Sequence, residues 1–392
     1  MRVFLITTSS FPYGMADTKR IMCYARALLY VGVECEVVVY KRNSGFNNTL
    51  SDGVEDGVPY HYVGSSPIRH RRGVYARALD IFDRCRLFCY LRKKVKKSDV
   101  VFCYGSLYSS FLIDYLHSKG ALFVANLTEY PFLSSGNSLF QKYYRWILIN
   151  RLFPRYDGVI SISDTLVSFA KEHTAPLCKH LKVPILVDFE SYNLEDMSNI
   201  PSSNERFIFH AGSLVESKDG ILGMIEAFGK YINLHHSDLL FISTGLSENS
   251  PHHAEIQALI DHYHLKNNVR FTGYLNAEEY SEYLKKASLV IINKNVSLQN
   301  HYCFSTKLGE YMAAGKCIIM TSVGEAINWV QDEKDVFVVP PQDSDLLAEK
   351  IHYVMSRPAL RVRVSGQAKE TCHKCFDYKR WGKMMADFLL SC

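Results

Sequence analysis

The feature that most constrains this chain is a repeated alternation of short, almost wholly apolar runs with segments of helical period. Val3–Thr7 is such a run and ends in a loop, Ser9 to Gly14. Ile21, Met22, Ala25, Leu28 and Leu29 then recur at helical spacing up to Gly32, and Glu34–Tyr40 is apolar again. Strands without polar alternation belong to parallel sheets covered on both faces, and the helices between them are the crossovers such sheets require. Further runs at Val100–Tyr104, Leu122–Asn126 and Val159–Ser163 continue the series.

Around 187–204 the texture changes to Asp, Glu, Asn, Ser and Pro with few large apolar residues, which reads as a linker. A second alternating series follows, with strands at Phe207–His210, Leu239–Ser243, Val269–Thr272, Leu289–Ile292, Cys317–Met320 and Val336–Val339. The expected architecture is α/β: two Rossmann-like, doubly wound parallel-sheet domains facing across a cleft. Residues 1–187 form the first, 188–204 the linker and 205–377 the second. The length of 392 residues agrees, being too long for one ordinary core. In such sheets ligands bind beyond the carboxyl ends of the strands, so the loops there are where chemistry is sought.

Composition narrows the classes. A hydrophobic fraction of 47% with 22% charged residues describes a globular protein, and a net charge of +5 gives no support to a nucleic-acid role. The charge is uneven, because 69–97 holds eleven Lys/Arg against Asp80 and Asp83. With Tyr75, Phe82, Phe88 and Tyr90 interleaved, this segment fits peripheral contact with an anionic membrane; a solvated basic helix face is the plainer reading. Cys23, Cys35, Cys85, Cys89 and Cys103 sit among apolar neighbours, as small core residues do. Cys372 and Cys375 make one CxxC with no second pair, so no zinc site is expected. The first residues lack a signal-peptide pattern and no apolar run reaches ~18–20 residues, so a cytoplasmic protein is expected, with a possible station at the inner face of the membrane.

Two strand-to-helix stretches carry the chemistry. His210–Ala211–Gly212–Ser213–Leu214–Val215–Glu216–Ser217–Lys218–Asp219–Gly220 offers a small residue where a phosphate could approach the backbone, a following helix start and the compact charge of Lys218. Phe304–Ser305–Thr306–Lys307–Leu308–Gly309–Glu310 opens another helix, with Ser305 and Thr306 at its start and Glu310 one turn in. A carboxylate there can accept from a ribose diol. The local alternative is a surface pair of Lys307 and Glu310 at i,i+3.

These stretches, with Gly273–Tyr274–Leu275 between them and Ser322–Val323–Gly324–Glu325 after them, resemble the donor-binding domain of family 4 glycosyltransferases, retaining enzymes of the two-Rossmann GT-B architecture. Phe11–Pro12–Tyr13–Gly14 with Arg20–Ile21 resembles the family's N-terminal glycine loop, and Ile160–Ser163 its end-of-domain strand. The resemblance implies transfer of a sugar from a nucleotide-diphosphate donor, UDP-linked by family frequency, to a saccharide or lipid-linked saccharide acceptor. It implies that Lys218 stabilises the leaving diphosphate, that Gly212, Ser213, Ser305, Thr306, Lys307 and Leu308 lie near phosphates and sugar, and that Glu310 holds the ribose. The backbone near Tyr274 would meet the base, and Gly14 would let the first domain close over the donor. Neither a cofactor nor a metal is implied.

The sequence departs from the family at two places. Ser213 stands where an arginine is common, which makes Lys307 the substitute phosphate cation, and Tyr302 stands where a sugar-side glutamate is frequent. Glu129, in Thr128–Glu129–Tyr130–Pro131, follows a first-domain strand where the family often has a histidine, and is a candidate to orient sugar or acceptor. Asp343–Ser344–Asp345 spells a metal-binding Asp-x-Asp but precedes an apolar helix and reads as its cap. The C-terminal helix, 378–392, is expected to pack back on the first domain through Trp381, Met384, Met385 and Phe388, with Phe376 beside them. Two other functions fit the plan: a nucleotide-sugar epimerase, disfavoured because no His or carboxylate cluster is seen in the second domain's motifs, and a degenerate donor-binding subunit without activity. An NAD dehydrogenase is disfavoured by the lack of a strand followed by GxGxxG.

Overall fold

The computed structural model describes every residue except 44–47, 65–66, 70–73, 105–108, 133–137, 193–205 and 246. Its residues form two compact units, Met1–Val187 with Asp377–Cys392, and Asp188–Phe376. Most of the polar stretch taken as the linker lies outside the described residues.

The first unit holds eight strands: β1 (Arg2–Thr7), β2 (Glu34–Val39), β3 (Asp52–Glu55), β4 (Val58–Tyr62), β5 (Val100–Cys103), β6 (Leu122–Leu127), β7 (Gly158–Ser161) and β8 (Lys179–Lys182). They lie in the order β3-β4-β2-β1-β5-β6-β7-β8, parallel throughout except for the antiparallel pair β3–β4. Val3, Phe4, Val37, Val38, Val100 and Val101 are fully buried, as strands covered on both faces must be. The second unit has six strands, β9 (Phe207–His210), β10 (Leu240–Ser243), β11 (Val269–Phe271), β12 (Leu289–Ile292), β13 (Ile318–Thr321) and β14 (Phe337–Val339). Their order is β11-β10-β9-β12-β13-β14, and every pair is parallel. Chain order therefore reverses at β9, which has β10 on one side and β12 on the other. That reversal is the topological switch point where doubly wound sheets bind ligands.

The helix Tyr378–Ser391 belongs to the first unit, where it packs on the helix Ala16–Tyr30. Gly382 makes this close approach possible, since a side chain there would collide with the Ala27 carbonyl oxygen. Met385, Phe388 and Leu389 are buried with Tyr24 and Leu28, whereas Met384 is exposed. Phe376 stays behind in the core of the second unit, against Phe304 and Trp329 at 5.8 and 5.7 Å between ring centroids. The turn between Phe376 and Tyr378 separates residues the sequence reading had grouped. At this junction Asp377 bridges to Val187, and the Tyr378 N–H donates to the Val187 carbonyl at 3.1 Å.

Two cysteines expected in the core are on the surface. In the helix Val74–Lys94 the buried line runs through Asp83, Leu87 and Leu91, which turns Cys85 and Cys89 outward. Among the described residues no helix is long and apolar enough to cross a membrane.

Candidate functional site

At the switch point of the second unit the loops after β9 and β12 meet at Asp219. Its side chain is only 1% exposed, yet it holds four interactions. Lys307 Nζ lies 2.9 Å and Lys294 Nζ 3.4 Å from Oδ1, while the Ser213 N–H and hydroxyl both donate to Oδ2 at 2.9 Å. Burial works to raise the Asp219 pKa, but Lys307, then His210 and Lys294, outweigh it and hold the carboxyl far below the usual range. Lys294 also donates to the Lys218 carbonyl at 2.7 Å. Its own pKa is pushed down to about 8, first by burial and then by Lys307, with Lys218 adding to the effect and Asp219 opposing it. Two ammonium groups on one carboxylate, with the Lys218 charge acting on Lys294 as well, leave an excess of positive charge beside the strand ends. Lys218 is the exposed member, and its ammonium has no ion-pair partner among the described residues.

The loop backbone contributes less than the sequence suggested. The amides of Ala211, Gly212 and Ser213 donate to Tyr311 Oη, Thr244 Oγ1 and Asp219 Oδ2, so they are committed inside the fold. The start of the following helix is partly closed as well, because Glu216 accepts from the Leu222 N–H at 2.8 Å. Gly212 is needed for packing: a Cβ there would press on Asp219 Oδ2 at 2.9 Å and on His210 Nε2. Gly220, at φ +57, lies against Asn293, which donates to its carbonyl.

The helix Thr306–Ala313 opens differently. Ser305 occupies its cap position without a side-chain hydrogen bond, so the first-turn amides of Thr306 and Lys307 stay available to an anion. Leu308 does not belong with them. Its side chain is fully buried and its N–H donates to the Ser305 carbonyl, because the third residue of this helix faces the core. Lys307 reaches back to Asp219 and does not pair with Glu310. Glu310 instead accepts from the hydroxyl of Tyr280 at 2.8 Å. Burial, then the Glu310 charge, raises the Tyr280 pKa well above its ordinary value and keeps the hydroxyl a donor.

Gly245 and Gly273, both at positive φ, exchange two backbone hydrogen bonds of 2.9 and 3.1 Å. This pair closes the strand ends beyond β10 and β11 and leaves Tyr274 exposed. Glu325, after the tight Gly324 turn, is buried and accepts from the Trp329 indole N–H at 2.9 Å. Asp343 caps the helix Ser344–Met355 through the Leu346 N–H, and Asp345 pairs with Lys230 at 2.8 Å. The two carboxylates of the Asp-x-Asp are thus occupied by a cap and an ion pair.

A His–carboxylate neighbourhood does exist in this unit, contrary to the sequence reading, since folding brings His210 beside Asp219. Burial, with Lys307, pushes the His210 pKa down to about 3, so the ring is neutral at physiological pH. Its Nδ1 lies 3.3 Å from the Ile291 carbonyl.

Gly14 and Glu129 lie in the first unit. The loop before Gly14 is clamped twice: Tyr62 Oη bonds the N–H and C=O of Phe11, and Asn48 bonds both polar groups of the Tyr13 backbone. A side chain at Gly14 would meet the Ser10 carbonyl at 2.7 Å and the Thr18 hydroxyl. Glu129 is exposed after β6, and its charge adds to burial in raising the Tyr104 pKa.

Asp219 and Lys294 are the site residues that sequence reasoning missed. Asp219 was quoted only as part of the stretch after β9, and Lys294 falls beyond the strand read at Leu289–Ile292; only the sheet order, which sets β12 beside β9, brings them together.

Residues 194–371 match the family model described as glycosyl transferases group 1. The chain is 30% identical over 169 residues to the lipopolysaccharide core biosynthesis glycosyltransferase LpsD of Rhizobium meliloti, covering 43% of this chain and 44% of that one. It spans less than half the length of the curated relatives it matches. Across nearly its whole length it shares the fold of Anabaena HepE, solved in complex with UDP and glucose, at 15% identity and TM-score 0.72, with 100% and 99% of the two chains covered. It likewise shares the fold of WaaG, a glycosyltransferase involved in lipopolysaccharide biosynthesis, at 14% identity and TM-score 0.64, with 99% of each chain covered. The fold is that of the GT-B glycosyltransferases, and the unit that carries the Asp219 cluster is the one that matches glycosyl transferases group 1.

Proposed function

We propose that this protein is a retaining glycosyltransferase of family 4. It moves a sugar from a nucleoside-diphosphate donor, UDP-linked by preference, to a saccharide or lipid-linked saccharide in cell-surface polysaccharide or glycoconjugate synthesis. The second unit binds the donor and the first the acceptor. One observation carries the reading: Lys294 and Lys307 converge on Asp219 at the β9 switch point, next to the exposed Lys218, with the open helix start at Ser305 and Thr306 in the same unit. A diphosphate has the charge such a site lacks. The UDP bound by HepE supports the choice of base, and LpsD supports the acceptor class.

In this reading Lys294 and Lys307, steered by Asp219, supply the cationic charge that the arginine replaced by Ser213 would have given. Lys218, exposed and unencumbered, meets the charge that grows on the leaving diphosphate. The bond from the anomeric carbon to the diphosphate oxygen breaks, and the acceptor oxygen bonds to that carbon on the same face. The acceptor proton passes to a leaving phosphate oxygen. No side-chain nucleophile is required. Glu310 holds the ribose diol while Tyr280 fixes its carboxylate, and Glu129 orients the acceptor. Because lysines and amides meet the phosphate charge, the reaction needs no metal. A neutral His210 buried in the core is unsuited to proton shuttling at the sugar, which weighs against an epimerase.

The test is a panel of nucleotide sugars assayed for donor hydrolysis with and without saccharide acceptors, beside thermal shifts with the free nucleotides. UDP should raise the melting temperature and an acceptor should turn hydrolysis into transfer. A protein that binds no nucleoside diphosphate, or that epimerises the sugar without acceptor, would defeat the reading.

A further inference from the structure

The helix Leu139–Ile147 in the first unit has no buried residue at all. Leu139, Phe140, Tyr143 and Trp146 are 85%, 73%, 61% and 50% exposed. At 100° per residue these four positions fall within about a third of the helix circumference, so they form one apolar stripe turned to solvent. The helix is deliberately begun: Ser138 and Gln141 make a reciprocal capping box. A well-capped helix whose apolar face stays exposed among the described residues is a surface built for something else.

Charge identifies the occupant. From 130 to 156 the sequence contains Lys142, Arg145, Arg151 and Arg155 and no Asp or Glu. Arg145 turns inward onto the Phe132 ring at 5.1 Å, and Arg155 pairs with Asp114. Lys142 and Arg151 remain exposed on the flanks, Arg151 over the Trp146 ring at 6.0 Å. The basic helix Val74–Lys94 adds charge here, since Arg84 acts electrostatically on the hydroxyl of Tyr144. On that helix Ile81 and Phe82 are also exposed, and both acids are neutralised: Asp83 by Arg42 and Arg86 at 3.0 Å each, Asp80 by Arg69 at 3.0 Å. An apolar row with Tyr and Trp, bordered by cations, has the chemistry of an interfacial helix on an anionic bilayer.

We propose that Leu139–Ile147 lies in the headgroup region of an anionic lipid bilayer, with Leu139, Phe140, Tyr143 and Trp146 inserted. Lys142, Arg151 and the basic helix meet lipid phosphates around this row. A membrane seated on the first unit supplies an acceptor carried by a lipid. That last step rests on the transferase reading; the docking itself does not.

Full-length protein is sedimented with vesicles of mixed phosphatidylethanolamine and phosphatidylglycerol, and with phosphatidylcholine vesicles. Binding should be confined to the anionic vesicles and weaken with salt. Brominated acyl chains should quench part of the tryptophan emission in wild type, and Trp146→Phe should remove that part while still binding. Phe140→Ser should lower partitioning about tenfold or more, the scale for one large apolar side chain. Leu139→Gln is the second variant should the first be poorly folded. Both should keep the wild-type melting temperature and its shift with UDP, which separates failure of docking from failure of the donor site. Equal binding to both vesicle types, unchanged binding by the variants, or a dimer in light scattering that Phe140→Ser splits without any vesicle binding would each overturn the proposal.

Discussion

Lys307 Nζ and Asp219 Oδ1 sit 2.9 Å apart across 88 positions of sequence, and this pair ties the start of the helix Thr306–Ala313 to the loop after β9. A buried carboxylate bonded to two ammonium groups is costly to break, because removing it leaves the cations facing each other without water. Asp219→Asn should destabilise the second unit by about 3–5 kcal/mol, read as a lowered denaturation midpoint. The pH dependence has a definite sign. The folded Asp219 pKa is depressed, so its stabilisation is complete above the unfolded value of about 4 and is lost as pH falls below it. Acid unfolding should therefore be less steep in the variant; identical acid profiles would refute the pair's role.

Lys294 gives a second pH test. Its folded pKa of about 8 lies below the unfolded value, so it opposes folding at neutral pH and that opposition fades as pH rises through 8. A bound diphosphate reverses the preference by favouring the charged amine. The UDP dissociation constant should rise about tenfold between pH 7 and 9, the scale for one coupled proton. Titration calorimetry on Lys294→Met should give a flatter profile; an equally steep one would assign the effect elsewhere.

Lys218→Ala should lower kcat/KM on the order of 100-fold or more, with kcat itself falling, because the interaction grows toward the transition state. The side chain is exposed and outside the Asp219 pairings, so the melting temperature should not move. Unchanged kinetics would remove Lys218 from the reaction.

Glu310 should behave otherwise. Glu310→Gln should mainly raise the donor KM, as loss of a contact far from the breaking bond does. Glu310→Ala should in addition lower stability by about 1–3 kcal/mol, since it removes the acceptor of a buried tyrosine hydroxyl. Tyr280→Phe should reproduce part of the KM effect without touching the donor. A kcat defect equal to that of Lys218→Ala would contradict these roles.

Transfer should persist in EDTA, and Asp343→Ala should cost about 1 kcal/mol of stability as a lost helix cap while leaving kcat in place. Activity that collapses on chelation and returns with manganese would reinstate the Asp-x-Asp as a metal site.

The central strands were legible in the sequence because burial on both faces writes itself as an unbroken apolar run. β3, β4 and β8 were not. Asp52–Glu55 and Lys179–Lys182 lie at the two edges of the first sheet, where one side needs no apolar cover and the residues are polar. Of the site, Lys218, Ser305 and Thr306 were legible from their place between strand and helix. Lys294 and the burial of Asp219 were not, because their meaning depends on which strands lie side by side. The approach of a phosphate to the backbone at Gly212 was a local inference that distant hydroxyls overrode, because Tyr311 and Thr244 take the Ala211 and Gly212 amides.

The bridge between Asp377 and Val187 makes order of synthesis differ from order of completion. The first sheet leaves the ribosome first, yet the helix that covers Tyr24 and Leu28 is encoded only after Asp377. The six described strands of the second unit all lie within 188–376. At 5–20 residues per second, a nascent chain spends on the order of 10–40 s making that insert, while the helix Ala16–Tyr30 waits with one apolar face uncovered. The later half of the sequence is thus the first able to finish folding.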